Sequence, residues 1–282
     1  QNPARQAAIN AGIPISKPAH IINQVCGSGL RAVISGYQSI KLGQLNNVIS
    51  GGQESMSLAP HSIFFRDEKK ISEDKLLDTM VNDGLIDAFN KYHMGVTAEN
   101  VAKKFNITRE EQDEFALKSQ KKTELAITNK KFNEELVKIN HNESILDVDE
   151  HPRIGLKISD LEKLKTVFQD NGTITPGNSS GINDGAAALL LTSLDEAEKK
   201  SIEPLVKIVS WSSVGVDPSV MGLGPIEAVR QASKKAKWNL DEIDLFEINE
   251  AFASQSIAVI RELGIDENKV NVNGGAIALG HP

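Results

Sequence analysis

Short apolar runs of strand character alternate with amphipathic helical stretches along this 282-residue chain, and that alternation predicts an α/β layered fold. A second observation supports it. HIINQVCGSGLRAV and LFEINEAFASQSIAV each pass from an apolar run through a polar turn into an amphipathic helix, a repeat of pattern rather than of identity. Two similar halves are therefore expected, with their helix N-termini facing a common site. Length divided by about 150 also points to two domains.

In chain order, residues 3–12 read as a short helix stopped by Gly12 and Pro14. His20 to Val25 reads as a buried strand, and the turn Gly27-Ser28-Gly29 then opens a helix from Leu30 to Leu42. Leu30, Val33, Ile34, Tyr37 and Ile40 have the spacing of one helical face. Asn47 to Gly52 returns as a buried strand. Residues 53–182 are more polar and mostly helical, the texture of an insertion carried by an α/β body. Within them, Thr108 and Glu111 form a capping box for a helix running to about Lys131. Lys118, Lys121, Lys122, Lys130 and Lys131 read as its solvated face.

Ala186 to Leu191 is an uninterrupted apolar run of buried-core style. Beyond it come a strand over Leu205 to Trp211, a helix over Pro225 to Lys237 and a strand over Ile243 to Ile248. A helix from Ala251 to Leu263 and a short strand from Val270 to Val272 complete the pattern. The predicted division is thus 1–202, including the insertion at 53–182, and 203–282.

Composition removes several functional classes. With 40% apolar residues the chain is not disordered, and no run approaches the roughly 18 apolar residues of a membrane span. A single cysteine excludes an internal disulfide framework and a multi-cysteine zinc site. The net charge is 31 − 38 = −7, which argues against general nucleic-acid binding.

Three stretches could carry chemistry. Cys26 lies between an apolar run and a helix start, where the helix dipole and unpaired N–H groups favour a thiolate and an oxyanion. Against that stands the commoner fate of a lone cysteine, a small buried hydrophobe. His281 follows the glycine-rich run 274–280, either as a surface turn histidine or as a base held against a thiol. Asn249 either caps the next helix or holds a water or an oxyanion. Its neighbour Glu250 reads equally as a helix-terminus partner or a general base.

Taken together, IINQVCGSGLRAV, GGQESMS, YHMGVTAEN, NSSGINDGAAA, VGVDPSVMGLGP, NEAFA and NGGAIALGHP resemble the thiolases, in order and over essentially the whole chain. The YHMG and NQVCGSG stretches are most similar to the acetyl-CoA acetyltransferase (acetoacetyl-CoA thiolase) branch. The resemblance implies a five-layered fold of two similar α/β halves, with a CoA-binding loop domain inserted in the first. It also implies that Cys26 becomes acylated, that His281 takes up the thiol proton, and that Asn249 positions a water in an oxyanion hole.

By the same resemblance, Leu85, His93 and Met94 serve the pantetheine arm, and Arg153, Phe168 and Ser180 the nucleotide side. Met221, Ala251 and Phe252 line the acyl and pantetheine tunnel. Asp160 stands where the family often has serine, so that contact is left out. The implied reaction joins two acetyl-CoA into acetoacetyl-CoA and CoA, or reverses it by thiolysis. No metal or tightly bound cofactor is implied. The expected partners are these CoA compounds and further copies of the chain in a homodimer or homotetramer, with no nucleic acid and no membrane.

The expected address is the cytoplasm. The family's second reactive cysteine, in a Cys-x-Gly motif after the histidine, does not occur in this sequence, nor does the family's opening strand. The expectation is therefore a fragment, poorly active by itself. The rival readings are a longer-chain 3-ketoacyl-CoA thiolase, a carrier-protein condensing enzyme, and a non-catalytic acyl-CoA-binding relative.

Overall fold

The computed structural model describes residues 1–66, 76–141 and 144–282, so parts of the expected insertion, at 67–75 and 142–143, lie outside the described residues. Helix α1 (Pro3–Asn10) starts where the Asn2 side chain accepts a hydrogen bond from the Arg5 N–H. Helix α2 (Ser28–Lys41) and strand β1 (Asn47–Ser55) follow. A small hairpin pairs β2 (His61–Ser62) with β3 (Leu77–Asp78) and leads into a π-helical turn, Met80–Leu85. Then come α3 (Met94–Phe105), α4 (Arg109–Thr128), the hairpin β4 (Ile139–His141) and β5 (Ser144–Leu146), and the short α5 (Ile158–Leu161). Strand β6 (Asp184–Thr192) and α6 (Leu194–Lys199) precede a 3₁₀ turn at Pro218–Leu223. Helices α7 (Gly224–Ala236), α8 (Ala253–Leu263) and α9 (Ala276–Leu279) complete the order.

The chain forms two compact units. The first comprises residues 1–54 and 185–209, and the second 55–184 and 210–282. Compactness thus groups nearly all of the inserted segment with the C-terminal residues.

In the first unit β1 pairs with β6. Strand side chains alternate between faces, so Val48, Ser50 and Leu191 point at α2. There a Cβ on Gly36 would come within 2.6 Å of Ser50 Oγ and 2.8 Å of Leu191 Cδ1, which explains the glycine. Ile49 and Leu190 lie on the other face and are about 60% exposed, so the expectation that 186–191 is buried is corrected. The expected strand at 20–25 is also absent. That segment makes only an isolated bridge between Gln24 and Cys26, and Ile21 is exposed. An apolar run becomes a strand only where a neighbour supplies ladder partners. Residues 205–211 lack strand pairing for the same reason, and Leu205 is exposed.

The second unit is built around α8, in which Ala253 to Ile260 and Leu263 are all buried. Ile257, Val259, Ile260 and Leu263 pack with Phe115 of α4, Ile226 of α7, and Phe246, Ile248, Val270 and Ile277. The Thr108–Glu111 capping box forms as expected at the head of α4. Lys118, Lys121, Lys130 and Lys131 are exposed as expected, Lys118 pairing with Glu267 at the surface; Lys122 is half-buried instead, its Nζ donating to the Val270 carbonyl at 2.8 Å. Ile174 is fully buried against Ala98 and Phe252. Ile174→Ala is expected to destabilise this unit by about 2–5 kcal/mol in denaturant unfolding, because it opens a cavity in packed surroundings.

The expected strands 243–248 and 270–272 reduce to one parallel bridge, Phe246 to Val270. Asn271 ends the ladder because its backbone turns left-handed, with φ +45°. Its side chain then takes over the pairing. Oδ1 accepts from the Ile248 N–H and Nδ2 donates to the Ile248 carbonyl, both at 2.8 Å.

Candidate active site

Cys26 sits in a strained turn. Val25 is held at φ +47°, a left-handed conformation that is rare for a β-branched residue and costs on the order of 1–3 kcal/mol. The turn is closed by Gly27 N–H donating to the Gln24 carbonyl and Ser28 N–H to the Val25 carbonyl, both at 3.0 Å. Ser28 secures it further: its hydroxyl donates to Val25 O at 2.7 Å and accepts from Gln24 N–H at 2.8 Å. The outcome is a cysteine placed two residues before the first residue of α2.

Cys26 is in no disulfide and is exposed, so a ligand can reach it. The protein around it nevertheless pushes its thiol pKa up through desolvation, with a backbone hydrogen bond of its own opposing. The expectation that the helix terminus would favour a thiolate is therefore corrected. At neutral pH the resting group is a thiol, and a nucleophilic role requires a base.

The second unit holds Asn249 and His281 together, with Asn249 Nδ2 3.4 Å from His281 Nε2. Asn249 arrives on a segment fixed from both sides. The NEAFA run is secured at Ile248 by Asn271. On its other side, the N–H and hydroxyl of Ser180 donate to the Ala251 carbonyl at 3.0 and 3.1 Å, and Ala253 N–H donates to Asn178 O. His281 bridges to Ile182 in parallel fashion. Gly280, at φ +98°, permits the sharp turn, and a Cβ there would come within 2.5 Å of the Asn183 side chain. Burial lowers the His281 pKa, so the imidazole is neutral at neutral pH. With Asn249 donating, Nε2 carries the lone pair.

Behind this pair lies Glu250, only 2% exposed. Burial raises its pKa, while hydrogen bonds from Asn271, Ser119 and Ile277 and the charge of Lys122 pull the other way.

A third group is an apolar cluster in the same unit. His93 caps α3 by accepting from the Gly95 N–H at 3.0 Å through Nδ1. Its ring stacks on Phe168 at 4.5 Å, and Phe168 meets Phe252 edge-on at 6.4 Å. A side chain at Gly95 would overlap the Phe168 ring, so only glycine lets the stack form. Met94, Met221, Ala251 and Phe168 pack around Ala98, Ile174 and Phe252. Burial pushes the His93 pKa down.

Leu85 ends the π-helical turn and is half-buried. Arg153 lies exposed on a loop, anchored by its N–H to Gln120 Oε1 at 2.9 Å. Among the described residues no group of three or more His, Cys, Asp or Glu is placed to hold a metal ion.

Sequence reading missed the supports. Glu99 accepts from the N–H groups of Thr173 and Ile174 and so shapes the loop above Phe252. Ser119, Asn183 and Asn271 act on residues far along the chain, and no local spacing marks them. The one available signal was a glutamate inside the apolar run around NEAFA.

Residues 1–195 match the family model "Thiolase, N-terminal domain" and residues 202–282 match "Thiolase, C-terminal domain". The acetyl-CoA acetyltransferase of Rhizobium meliloti is 53% identical over 286 residues, covering 100% of this chain and 73% of that protein. The cytosolic acetyl-CoA acetyltransferase of Rattus norvegicus is 50% identical over 288 residues, covering 100% and 72%. The crystal structure of human mitochondrial 3-ketoacyl-CoA thiolase in complex with CoA superposes with a TM-score of 0.94 at 42% identity, covering 99% of this chain and 71% of that one. With both family models spanning nearly its whole length, the chain belongs to the thiolase family and has the thiolase fold.

Proposed function

We propose that this chain carries the chemistry of an acetyl-CoA C-acetyltransferase, joining two acetyl-CoA into acetoacetyl-CoA and CoA or running the reverse thiolysis. The observation that carries the reading is the paired Asn249 amide and neutral His281 imidazole, 3.4 Å apart, each at the end of a fixed segment. A fixed amide donor suits the oxygen of a thioester as it becomes an oxyanion, and the imidazole lone pair beside it suits uptake of a thiol proton. Cys26 is the acyl acceptor in this reading. Its sulfur attacks the thioester carbonyl, its proton passes to His281, and that proton leaves with the departing CoA thiol. A second acetyl-CoA then gives up an α-proton to His281, neutral again once CoA has left, and the resulting carbanion attacks the acetyl group on Cys26; the released sulfur takes that proton back.

CoA would lie with its pantetheine arm against the cluster of His93, Met94, Met221, Ala251 and Phe252, with Leu85 nearby in the same role. Phe168, stacked between His93 and Phe252, fits the arm better than the nucleotide. Exposed Arg153 suits a phosphate, with Ser180 on the same side. No resident cofactor enters this scheme. The rat relative's cytosolic name favours a cytoplasmic address, and among the described residues no helix is long and apolar enough to cross a membrane. The family likeness supports a homodimer or homotetramer.

The test is intact-protein mass spectrometry after incubation with acetyl-CoA, in which one acetyl group should appear on Cys26. Comparing acetoacetyl-CoA with longer 3-oxoacyl-CoA substrates then sets the chain-length range. A pH profile adds a second check. His281 titrates below the ordinary imidazole value and Cys26 above the ordinary thiol value. Acylation should therefore rise as His281 loses its proton, below about pH 6.5, and stay level to beyond about pH 8.5. A single rise near the thiol value would instead mean that free thiolate, without the base, does the work.

A further inference from the structure

The acyl-transfer scheme leaves the carboxylate of Glu250 unused, although it is among the most buried side chains of the second unit. A buried carboxylate is costly unless its oxygens are satisfied, and here every neighbour within hydrogen-bond distance is a donor. Oε1 accepts from Asn271 Nδ2 at 2.8 Å. Oε2 accepts from the Ser119 hydroxyl at 2.7 Å and from the Ile277 N–H at 3.2 Å. Ser119 in turn accepts from the Gly275 N–H at 3.0 Å, and a Cβ on Gly275 would overlap the carboxylate itself.

These donors come from three segments: α4, the left-handed turn at Asn271, and the first turn of α9. Glu250 directly follows Asn249, and Ile277 stands four residues before His281. The contact between Asn249 and His281 is itself long at 3.4 Å and too weak to hold two segments in place. Their separation is set from behind.

We propose that Glu250 is a positioning residue: its carboxylate, caged by Ser119, Asn271 and Ile277, holds the Asn249 amide and the His281 imidazole at a fixed separation. The role in acyl transfer rests on the thiolase reading above, whereas the positioning itself does not. Glutamine cannot replace it. Asn271 is locked by Ile248, so its Nδ2 must meet an acceptor, and Ile277 N–H demands another on the opposite side. An amide offers only one acceptor atom, so either orientation sets donor against donor.

The experiment compares Glu250→Gln, Glu250→Asp and Ser119→Ala with the parent in the full-length protein. It reads kcat and KM for acetoacetyl-CoA thiolysis, and the titration of His281 by NMR of histidine-labelled protein, assigned with His281→Gln. Glu250→Gln should lower kcat by about 10–100-fold with KM changed less than about 2-fold, since small misplacement of positioned groups costs rate rather than binding. The His281 titration should move up toward the ordinary imidazole value as its turn loosens. Glu250→Asp, which keeps an all-acceptor group, should recover part of kcat.

If kcat stays within about 2-fold and His281 titrates unchanged in Glu250→Gln, the proposal is overturned. Should that variant fail to fold, Ser119→Ala decides: a lower kcat at constant KM and a shifted His281 support the proposal, and no change in either overturns it. If the full-length parent neither acylates Cys26 nor turns over, the acetyl-transfer reading fails. The His281 titration then still decides whether Glu250 positions that ring.

Discussion

Replacing Cys26 by serine is expected to remove acetyl labelling and to lower acetyl transfer by at least about 10³-fold. The reason lies in the atom and in its setting. Desolvation already raises the Cys26 thiol pKa, so the group depends on a base for its activation. A serine hydroxyl is far less acidic than a thiol and is harder still to ionise at the same place. Because the strain is carried by Val25 and the turn by Ser28 and Gly27, the variant keeps its backbone. Mass spectrometry should therefore show one acetyl group on the parent and none on a folded variant. Equal labelling of both would refute the acyl-cysteine route.

Asn249→Ala should lower kcat by about 10²–10³-fold while leaving KM within a few-fold, the pattern for loss of a fixed oxyanion donor. Asn249 is exposed, and among the described residues its side chain makes no hydrogen bond beyond the contact with His281. Stability by denaturant unfolding should accordingly change by less than about 0.5 kcal/mol, as for a surface substitution. A fall in KM-corrected rate matched by a large loss of stability would move Asn249 from chemistry to scaffolding.

The helices were legible because their signals are local. The Thr108–Glu111 box and the apolar spacing of α2 and α8 act within a turn or two, and these elements form within a few residues of expectation. Strands were less legible, because a strand exists only with a partner. The runs at 20–25 and 205–211 have the composition without the pairing, and Leu189 and Leu190 have the pairing without the burial. Lys122 illustrates a further limit: it has the look of a solvated charge but ties down the carbonyl of Val270.

By itself, the sequence determined the family, the α/β class and the residue types that can accept an acyl group, take up a proton and offer an amide. Those depend on chemistry and on short-range order. Only the tertiary structure decided that the thiol of Cys26 is desolvated rather than ionised, that Asn249 reaches His281, and that Glu250 faces three donors. Desolvation and hydrogen bonding depend on which distant segments meet, and Ser119 lies 131 residues from the carboxylate it binds.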